Sequence, residues 1–457
     1  VLNTAAVGIT PSALTKANDT NVTMALGGTS ATALLQGVTL TMGWQGTLSP
    51  ARGGLGADNG AATGIPLFTA GAAVVSPVGT AVGAAAVRYD AAQSLTAAQQ
   101  VQARQNISAA ATDALAYSGA QANGAFEVSQ ENGTTAVTVQ NTTTYVLDQW
   151  RVGCANSAGI LSCKQQAPGA GMPGSALEVT ATTAFTTLAS TSFVAISHPI
   201  EGYRINRMCW GTTAAQSVTV GFWINTLVAG TASLCIQNAI SFPQRSYVAN
   251  FTTSAGVWEY KTITIPGCQD GTWNANQLIG CCVSFVFAAG SGLISSAGVW
   301  LTGAAGGAVI ATPTNTNYFA TTSNKVTISN VVILPGTEAP SAARSPLIMR
   351  PYDQELLTCQ RYLEPISVSA MGWTSGTTSI IMSAPFRVLK RAAPTLLAPA
   401  GGIAIYANGN FSSTATPTFG AIDMTGATLN IGGYAGMTTN VVAFLTAHPG
   451  IKFDARL

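Results

Sequence analysis

Apolar and small polar residues alternate in two short runs near the start of the chain. Val22-Thr23-Met24-Ala25-Leu26 leads into Gly27-Gly28. Sixteen residues on, Val38-Thr39-Leu40-Thr41-Met42 repeats the pattern before Gly43-Trp44. Period two predicts half-buried strands, apolar on one side and small and polar on the other. A two-stranded piece is marginal by itself, so neighbouring copies of the chain are expected to cover it. Residues 61–90 are mostly Gly, Ala, Pro and Val without a clear period, and they read as extended or loop-like. Thr96 with Gln99 three positions later is a capping-box pattern ahead of helix-favouring residues. It predicts a short helix near 96–108 with a narrow apolar stripe, Ala98 and Val101. Gly119 to Gly124 reads as a hinge.

From Phe126 to Leu334 the chain becomes a series of strand-like runs separated by turn clusters. They include 137–139, 144–147, 192–196, 217–224, 246–248, 260–265, 282–287 and 326–328. Many short strands with almost no helical periodicity predict an antiparallel sandwich of jelly-roll type. Pro335 and Pro340 close it. A second short helix is expected near 353–363, followed by β-rich sequence to Leu457. The fold class is therefore mainly β. The chain divides into 1–64, β-rich; 65–125, extended with the first helix; 126–340, the sandwich; and 341–457, a small β-rich C-terminal domain.

Composition narrows the function classes. Charged residues make up 8 % of the 457, against the ~25 % usual in soluble domains. Nineteen Lys and Arg against seventeen Asp and Glu leave +2, with no basic block, so no nucleic-acid partner is expected. Fifty-four consecutive residues between Asp270 and Lys325 carry no charge. The best bilayer candidate within them, 292–311, is more than half Gly, Ser, Thr and Ala and lacks flanking Lys or Arg, so no membrane insertion is expected. The start at Val1 shows no basic n-region or long apolar core and does not read as a secretory signal. His198 and His448 are too far apart for a local two-His motif, and no metal or other cofactor is expected. Both approach Pro in sequence, and a structural role is the plain reading for each.

Several segments resemble the shafts of tail fibres from tailed bacteriophages: Ala17-Asn18-Asp19-Thr20-Asn21-Val22, Gly43-Trp44-Gln45-Gly46-Thr47-Leu48, Ala51-Arg52-Gly53-Gly54-Leu55-Gly56 and the run from Gln93 to Ile107. The middle region looks like the carbohydrate-binding-module-like jelly rolls of such fibres, on Asp148-Gln149-Trp150, the Val218–Ile224 run, Trp258-Glu259-Tyr260 and Trp300. The most specific match is the stretch from Arg350 to Tyr362, which resembles a sequence near the ends of phage fibre and receptor-binding proteins. Position 353 is Asp where that family often has Gly, and Asp is expected to cap a helix there. The resemblance implies an elongated homotrimeric fibre, with 1–64 as proximal shaft, 65–125 as shaft and linker, and 341–457 as tip. It also implies assembly in the host cytoplasm, a place in the virion, attachment to tail or baseplate proteins through the N-terminal side, and host recognition through a cell-surface receptor, in first place a glycan.

Sugar recognition needs aromatic faces with amides and hydroxyls beside them. Trp150, Trp223, Trp258 and Trp300 sit in or beside alternating strands and read as core. Trp273, in the polar loop Gly271-Thr272-Trp273-Asn274, is the leading glycan-contact candidate, followed by Tyr318 and Trp373. No C-x-x-C spacing occurs among the eight cysteines. A chain that folds in a reducing cytosol is expected to hold free buried thiols, the alternative being a disulfide formed after release, with Cys154 and Cys163 as the candidate pair. Cys281 and Cys282 must face opposite sides of one strand. Acids are few in the sandwich and no Gly-x-Ser-x-Gly elbow occurs, so no enzymatic activity is expected. Two alternatives stay open: a tailspike-like depolymerase of surface polysaccharide, and a purely structural virion fibre.

Overall fold

The computed structural model of the chain describes residues 13–18, 22–28, 38–44, 65–69, 72–76, 96–106 and 119–457, the last without 157, 170, 239–244, 303–308, 367–370, 398–402, 414–416 and 446–449. The chain divides into two units, Val1–Ala109 and Ala110–Leu457. All statements about elements below concern the described residues.

In the first unit the two alternating runs become β1 (Val22–Gly28) and β2 (Val38–Trp44), paired antiparallel with Met24 opposite Met42 and Leu26 opposite Leu40. These four share one face, because alternate strand residues point the same way. Within this unit Leu40 is 57 % and Met42 71 % exposed. The 61–90 stretch, expected to be extended or loop-like, contains a second antiparallel hairpin, β3 (Ile65–Thr69) with β4 (Ala72–Ser76). Leu67-Phe68 and Val74-Val75 supply its β-favouring residues, and a two-stranded ribbon has only edge strands, where Pro66 is tolerated. Helix α1 (Ala97–Asn106) starts with the expected capping box: Gln99 N–H donates to Thr96 Oγ1 at 3.3 Å, and Thr96 N–H donates to Gln99 Oε1 at 2.9 Å.

The second unit opens with a sandwich. Its strands are β5 (Val137–Val139), β6 (Thr143–Leu147), β7 (Trp150–Ala155), β8 (Ile160–Gln166), β9 (Ala176–Thr183), β10 (Phe193–Glu201), β11 (Val218–Thr226), β12 (Gly230–Gln237), β13 (Arg245–Thr253), β14 (Glu259–Ile265), β15 (Ile279–Ala289), β16 (Trp300–Thr302) and β17 (Lys325–Pro335). A seven-stranded sheet runs β16-β13-β12-β15-β10-β7-β6, and a six-stranded one runs β14-β11-β17-β9-β8-β5. Every pairing in both is antiparallel, and the chain crosses repeatedly between the sheets, as in a jelly roll. Inward residues of both sheets form one core that contains Trp150, Phe222, Phe285 and Phe287.

The segment read as a hinge is the most firmly held part of this unit's entry. Ala120, Gln121 and Asn123 are buried. Ala120 N–H donates to the Ile333 carbonyl and Val331 N–H to the Gly124 carbonyl, both at 2.8 Å, so this stretch lies along β17. Trp150 Nε1–H is shared between the Ala122 and Asn123 carbonyls at 3.1 and 3.0 Å. His198, expected near a turn, lies inside β10. Pro199 fits there because β7 pairs with β10 only as far as Ser197, so no partner on that side needs its missing N–H. His448 is outside the described residues.

The C-terminal part holds helix α2 (Tyr352–Gln360), β18 (Leu363–Pro365), β19 (Met371–Thr374), β20 (Ile380–Pro385), β21 (Thr395–Leu397), β22 (Ile403–Tyr406), β23 (Asn410–Ser413), β24 (Thr418–Ile422), β25 (Gly426–Ile431), β26 (Val442–Leu445) and β27 (Lys452–Asp454). They build a seven-stranded sheet, β23-β22-β26-β19-β20-β25-β24, and a small one, β18-β27-β21. A separate core of Ile380, Met382, Leu429, Ile431 and Leu445 packs beneath the larger sheet. Asp353 is not the cap of α2: Pro351 holds that position with no side-chain bond, and Asp353 lies in the first turn, where its charge complements the helix dipole. The stretch from Arg350 to Tyr362 works as a clasp. Arg350 donates to the Gln121 and Gly119 carbonyls at 3.0 Å and pairs with Glu355 at 3.2 Å, while Glu355 Oε1 accepts Asn123 N–H at 2.8 Å. Arg361 and Tyr362 both reach Glu201 on β10, at 2.6 and 2.8 Å.

Candidate functional site

The outer face of the seven-stranded sheet carries the site. Along β10, Val194 and Ile196 enter the core, which leaves Phe193, Ala195 and Ser197 outside. On β15, Cys281, Val283 and Phe285 point inward and Cys282 and Ser284 outward, so the two adjacent cysteines do face opposite sides. Arg151 and Gly153 on β7, Thr143 on β6 and Gln237 on β12 complete the floor, with Leu293 and Ile310 above it. The register places Arg151 beside Ser197, Ser197 beside Ser284, and Cys282 beside Gln237. Gly153 matters here because a Cβ would come within 3.0 Å of both the Phe193 ring and Thr143 Oγ1. Its absence lets the aromatic ring lie across β7.

These residues enclose a cavity of about 290 Å³. Its polar lining is Thr143, Arg151, Ser197, Gln237, Cys282 and Ser284; its apolar walls are Phe193, Ala195, Leu293 and Ile310. Among the described residues no Asp or Glu lines it. The two serine hydroxyls bond to each other at 2.9 Å, and Arg151 Nη2 reaches Cys282 Sγ at 3.6 Å. Arg151 Nε and Gln237 Nε2 are buried without a hydrogen-bond partner. An aromatic face next to hydroxyls, an amide and a guanidinium is the chemistry that holds a polyhydroxylated ring. A second, shallower depression of about 430 Å³ lies by Asp423, but Asp423 Oδ1 already accepts bonds from Thr425 and Gly426.

The residues expected from sequence lie elsewhere. Tyr318 is only 1 % exposed: its ring packs edge-on against Phe287 at 5.6 Å and its hydroxyl bonds Thr253 at 2.9 Å, so it is a core residue and not a surface contact. Trp273 is half-buried in an aromatic cluster, 4.6 Å from the Trp210 ring and 5.6 Å from Trp300, with Nε1–H bonded to the Asp270 carbonyl at 3.1 Å. Trp373 is open to solvent, 51 % exposed on β19, beside Val442 across the sheet and near exposed Met371, Phe444 and Tyr406. None of the three lines the cavity. Cys154 and Cys163 are buried on facing sheets and unbonded, so no disulfide joins them.

Cys209 is the one cysteine of the eight that is exposed. A thiol reagent should therefore modify Cys209 rapidly in the native protein, Cys282 only as far as the reagent enters the cavity it lines, and the other six only on unfolding. Mass spectrometry after timed alkylation checks this; early loss of the Cys154 and Cys163 thiols together would contradict it.

Sequence reasoning missed Arg151, Phe193, Ser197, Gln237, Cys282 and Ser284, although several fall in the strand runs it singled out. Scarcity of charge was an available signal. In a chain with nineteen Lys and Arg, one set inside a strand directly after Trp150 stands out.

No protein-family model matches the sequence, and no curated protein matches it. Among solved structures, a putative sugar binding protein from Bacteroides thetaiotaomicron aligns with a TM-score of 0.26 and 10 % identity, over 46 % of this chain and 99 % of that one. The family 11 carbohydrate-binding module from Clostridium thermocellum aligns at 0.23 and 15 %, over 44 % and 97 %. The enzymatically active domain of bacteriophage CBA120 tailspike protein 4 aligns at 0.24 and 9 %, over 48 % of this chain, which spans only 22 % of that one. Likenesses this distant say nothing about what this chain binds. Among the described residues no helix is long and apolar enough to cross a membrane, and no group of three or more His, Cys, Asp or Glu could hold a metal ion.

Proposed function

We propose that this protein is a receptor-binding tail fibre of a tailed bacteriophage whose jelly roll binds a cell-surface saccharide without cleaving it. The observation that carries the reading is the cavity on the outer sheet face, with Phe193 beside a row of hydroxyls and amide and guanidinium donors. The resemblance of the shaft-like segments and of the Arg350–Tyr362 stretch supports the phage assignment. Binding without cleavage fits the lining, because hydrolysis by the common route needs two carboxyl groups flanking the bond and none lines the cavity. The test is the full chain against a panel of bacterial surface polysaccharides, with binding and reducing ends followed together. Binding with no new reducing ends or unsaturated sugars is expected. Release of either would overturn the non-enzymatic reading in favour of a depolymerase.

The fibre is proposed to be a homotrimer. The paired β1–β2 face exposes Leu40 and Met42 within its own unit, and two neighbouring copies would cover it. Sedimentation should give a trimer mass at micromolar concentration. Leu40→Ser with Met42→Ser should shift the protein toward monomer, since each large apolar side chain contributes ~1.5–3 kcal/mol when fully buried. A wild-type monomer at that concentration contradicts the proposal.

A further inference from the structure

We propose that the cavity selects an acidic saccharide and that Arg151 receives its carboxylate. The inference rests on the reading of this cavity as the saccharide site and adds the class of ligand. The guanidinium of Arg151 has two distinguishing features. Its only hydrogen bond is from Nη2 to the Cys282 thiol at 3.6 Å, a weak acceptor, and its Nε is buried with no partner. Arg350, Arg361 and Arg456 are matched to carboxylates, Glu355, Glu201, and Asp454 with Glu131, while Arg204 and Arg391 donate to backbone carbonyls. Arg151 has no such partner within 4 Å among the described residues, and no acid lines its cavity.

Arg151 as a whole is half-buried, but its Nε lies out of water with no acceptor, and a buried donor on a cation without a counter-charge is unfavourable. A bound carboxylate removes that penalty and offers two oxygens to a fork of N–H donors. Gln237, the strand neighbour of Cys282, adds a neutral donor near the guanidinium, its Nε2 also buried and unpartnered. Arg151 and Gln237 stand on β7 and β12, separated by β10 and β15. Three strand spacings put their backbones about 14 Å apart, and the Arg151 side chain crosses most of that distance, its Nη2 reaching the thiol of Cys282, the strand neighbour of Gln237. The volume, at the lower end of the ~300–1,000 Å³ common for small-molecule sites, fits a single residue of a chain better than an extended segment. The ring would lie with its apolar face toward Phe193, its hydroxyls toward Ser197 and Ser284, and its acid group on Arg151.

The experiment compares one uronic-acid oligosaccharide with its carboxyl-reduced counterpart, which keeps every ring and linkage but carries a primary alcohol in place of the acid. Calorimetry with the full wild-type chain should show the reduced form binding at least about thirty-fold more weakly. The acidic form should also raise the thermal midpoint where the neutral one does not. Arg151→Met, with its fold checked by far-ultraviolet circular dichroism, should abolish the difference between the two. Because that comparison is complete with wild-type protein, a misfolded variant does not remove the test. Equal binding of both forms would overturn the acidic preference and leave the saccharide reading standing. Failure of acidic and neutral saccharides alike, across the panel, would overturn both. A sugar phosphate or sulfated oligosaccharide serves as a third arm, and binding there without binding of the uronate would overturn the carboxylate assignment.

Discussion

Replacing Trp150 by alanine should lower the stability of the second unit by about 3–5 kcal/mol, as for other fully buried large aromatics. The indole is completely buried, stacks on the His198 ring at 4.6 Å with planes 17° apart, and lies 4.7 Å from Phe126. It also supplies the N–H that ties the 119–125 segment to the sheet through the Ala122 and Asn123 carbonyls. Its loss opens a cavity and frees the entry strand at the same point. Phe126 sits there with φ of 56°, a left-handed backbone conformation unfavourable for a bulky side chain, held by its packing and by hydrogen bonds from its N–H to the Asn123 carbonyl and from Gln165 Nε2 to its own carbonyl. Urea unfolding followed by far-ultraviolet circular dichroism gives the measurement. Trp150→Phe should fall between wild type and alanine, because the ring returns without the N–H. Trp373→Ala should stay within about 0.5 kcal/mol, since that side chain is largely exposed. Equal midpoint shifts for Trp150→Ala and Trp373→Ala would show that Trp150 does not hold the unit together.

Acid should destabilise the same region through His198. His198 is held neutral: its Nε2 accepts the Ala122 N–H at 3.1 Å, so the proton sits on Nδ1, which donates to the Gln149 carbonyl at 2.9 Å. Burial pulls its pKa down to about 3; the nearby Arg204 and Arg151 charges act the same way, and the bond to Gln149 opposes them. Below pH ~6.5 the unfolded chain takes up a proton that the folded imidazole refuses. Stability is therefore full above that pH and falls as pH drops toward about 3. At pH 5 the loss relative to pH 7 should be about 2 kcal/mol, at ~1.4 kcal/mol per pH unit below the unfolded value. Burial raises the pKa of Glu127 and of Asp148, which acts in the opposite sense, so the His198 contribution is read as the difference between wild type and the His198 variant at each pH. His198→Gln should flatten the pH 5–7 slope. A flat wild-type profile would refute the assignment.

The Arg350–Tyr362 stretch, the most specific part of the phage resemblance, turns out to be an internal fastening. Arg350 and Glu355 grip the 119–123 backbone, and Arg361 with Tyr362 grips Glu201 on the sandwich. Sequence could show that the stretch was distinctive but not what it touched. Its partners lie some 160 to 230 positions earlier in the chain.

What the sequence determined by itself is whatever short-range chemistry dictates. The capping box of α1 is a contact between residues three apart, and β1, β2, β10, β11, β14 and β15 announce themselves by alternation or by β-branched and aromatic runs. Alternation does not single out β8, β9 and β12, where Ser, Thr, Gly, Ala and Gln interrupt the apolar side. Those strands are decided by the neighbours they pair with. The hinge-like look of Gly119–Gly124 came from small residues, which serve equally well where backbone must pass close to backbone: a Cβ on Gly124 would stand 2.2 Å from the Val331 carbonyl. The aromatic candidates failed for a related reason. A polar loop sequence around Tyr318 says nothing about whether the fold turns its ring inward onto Phe287. The site itself is a tertiary product. Arg151, Phe193, Gln237 and Ser284 belong to four strands, and only the order in which those strands hydrogen-bond places them on one face around one cavity.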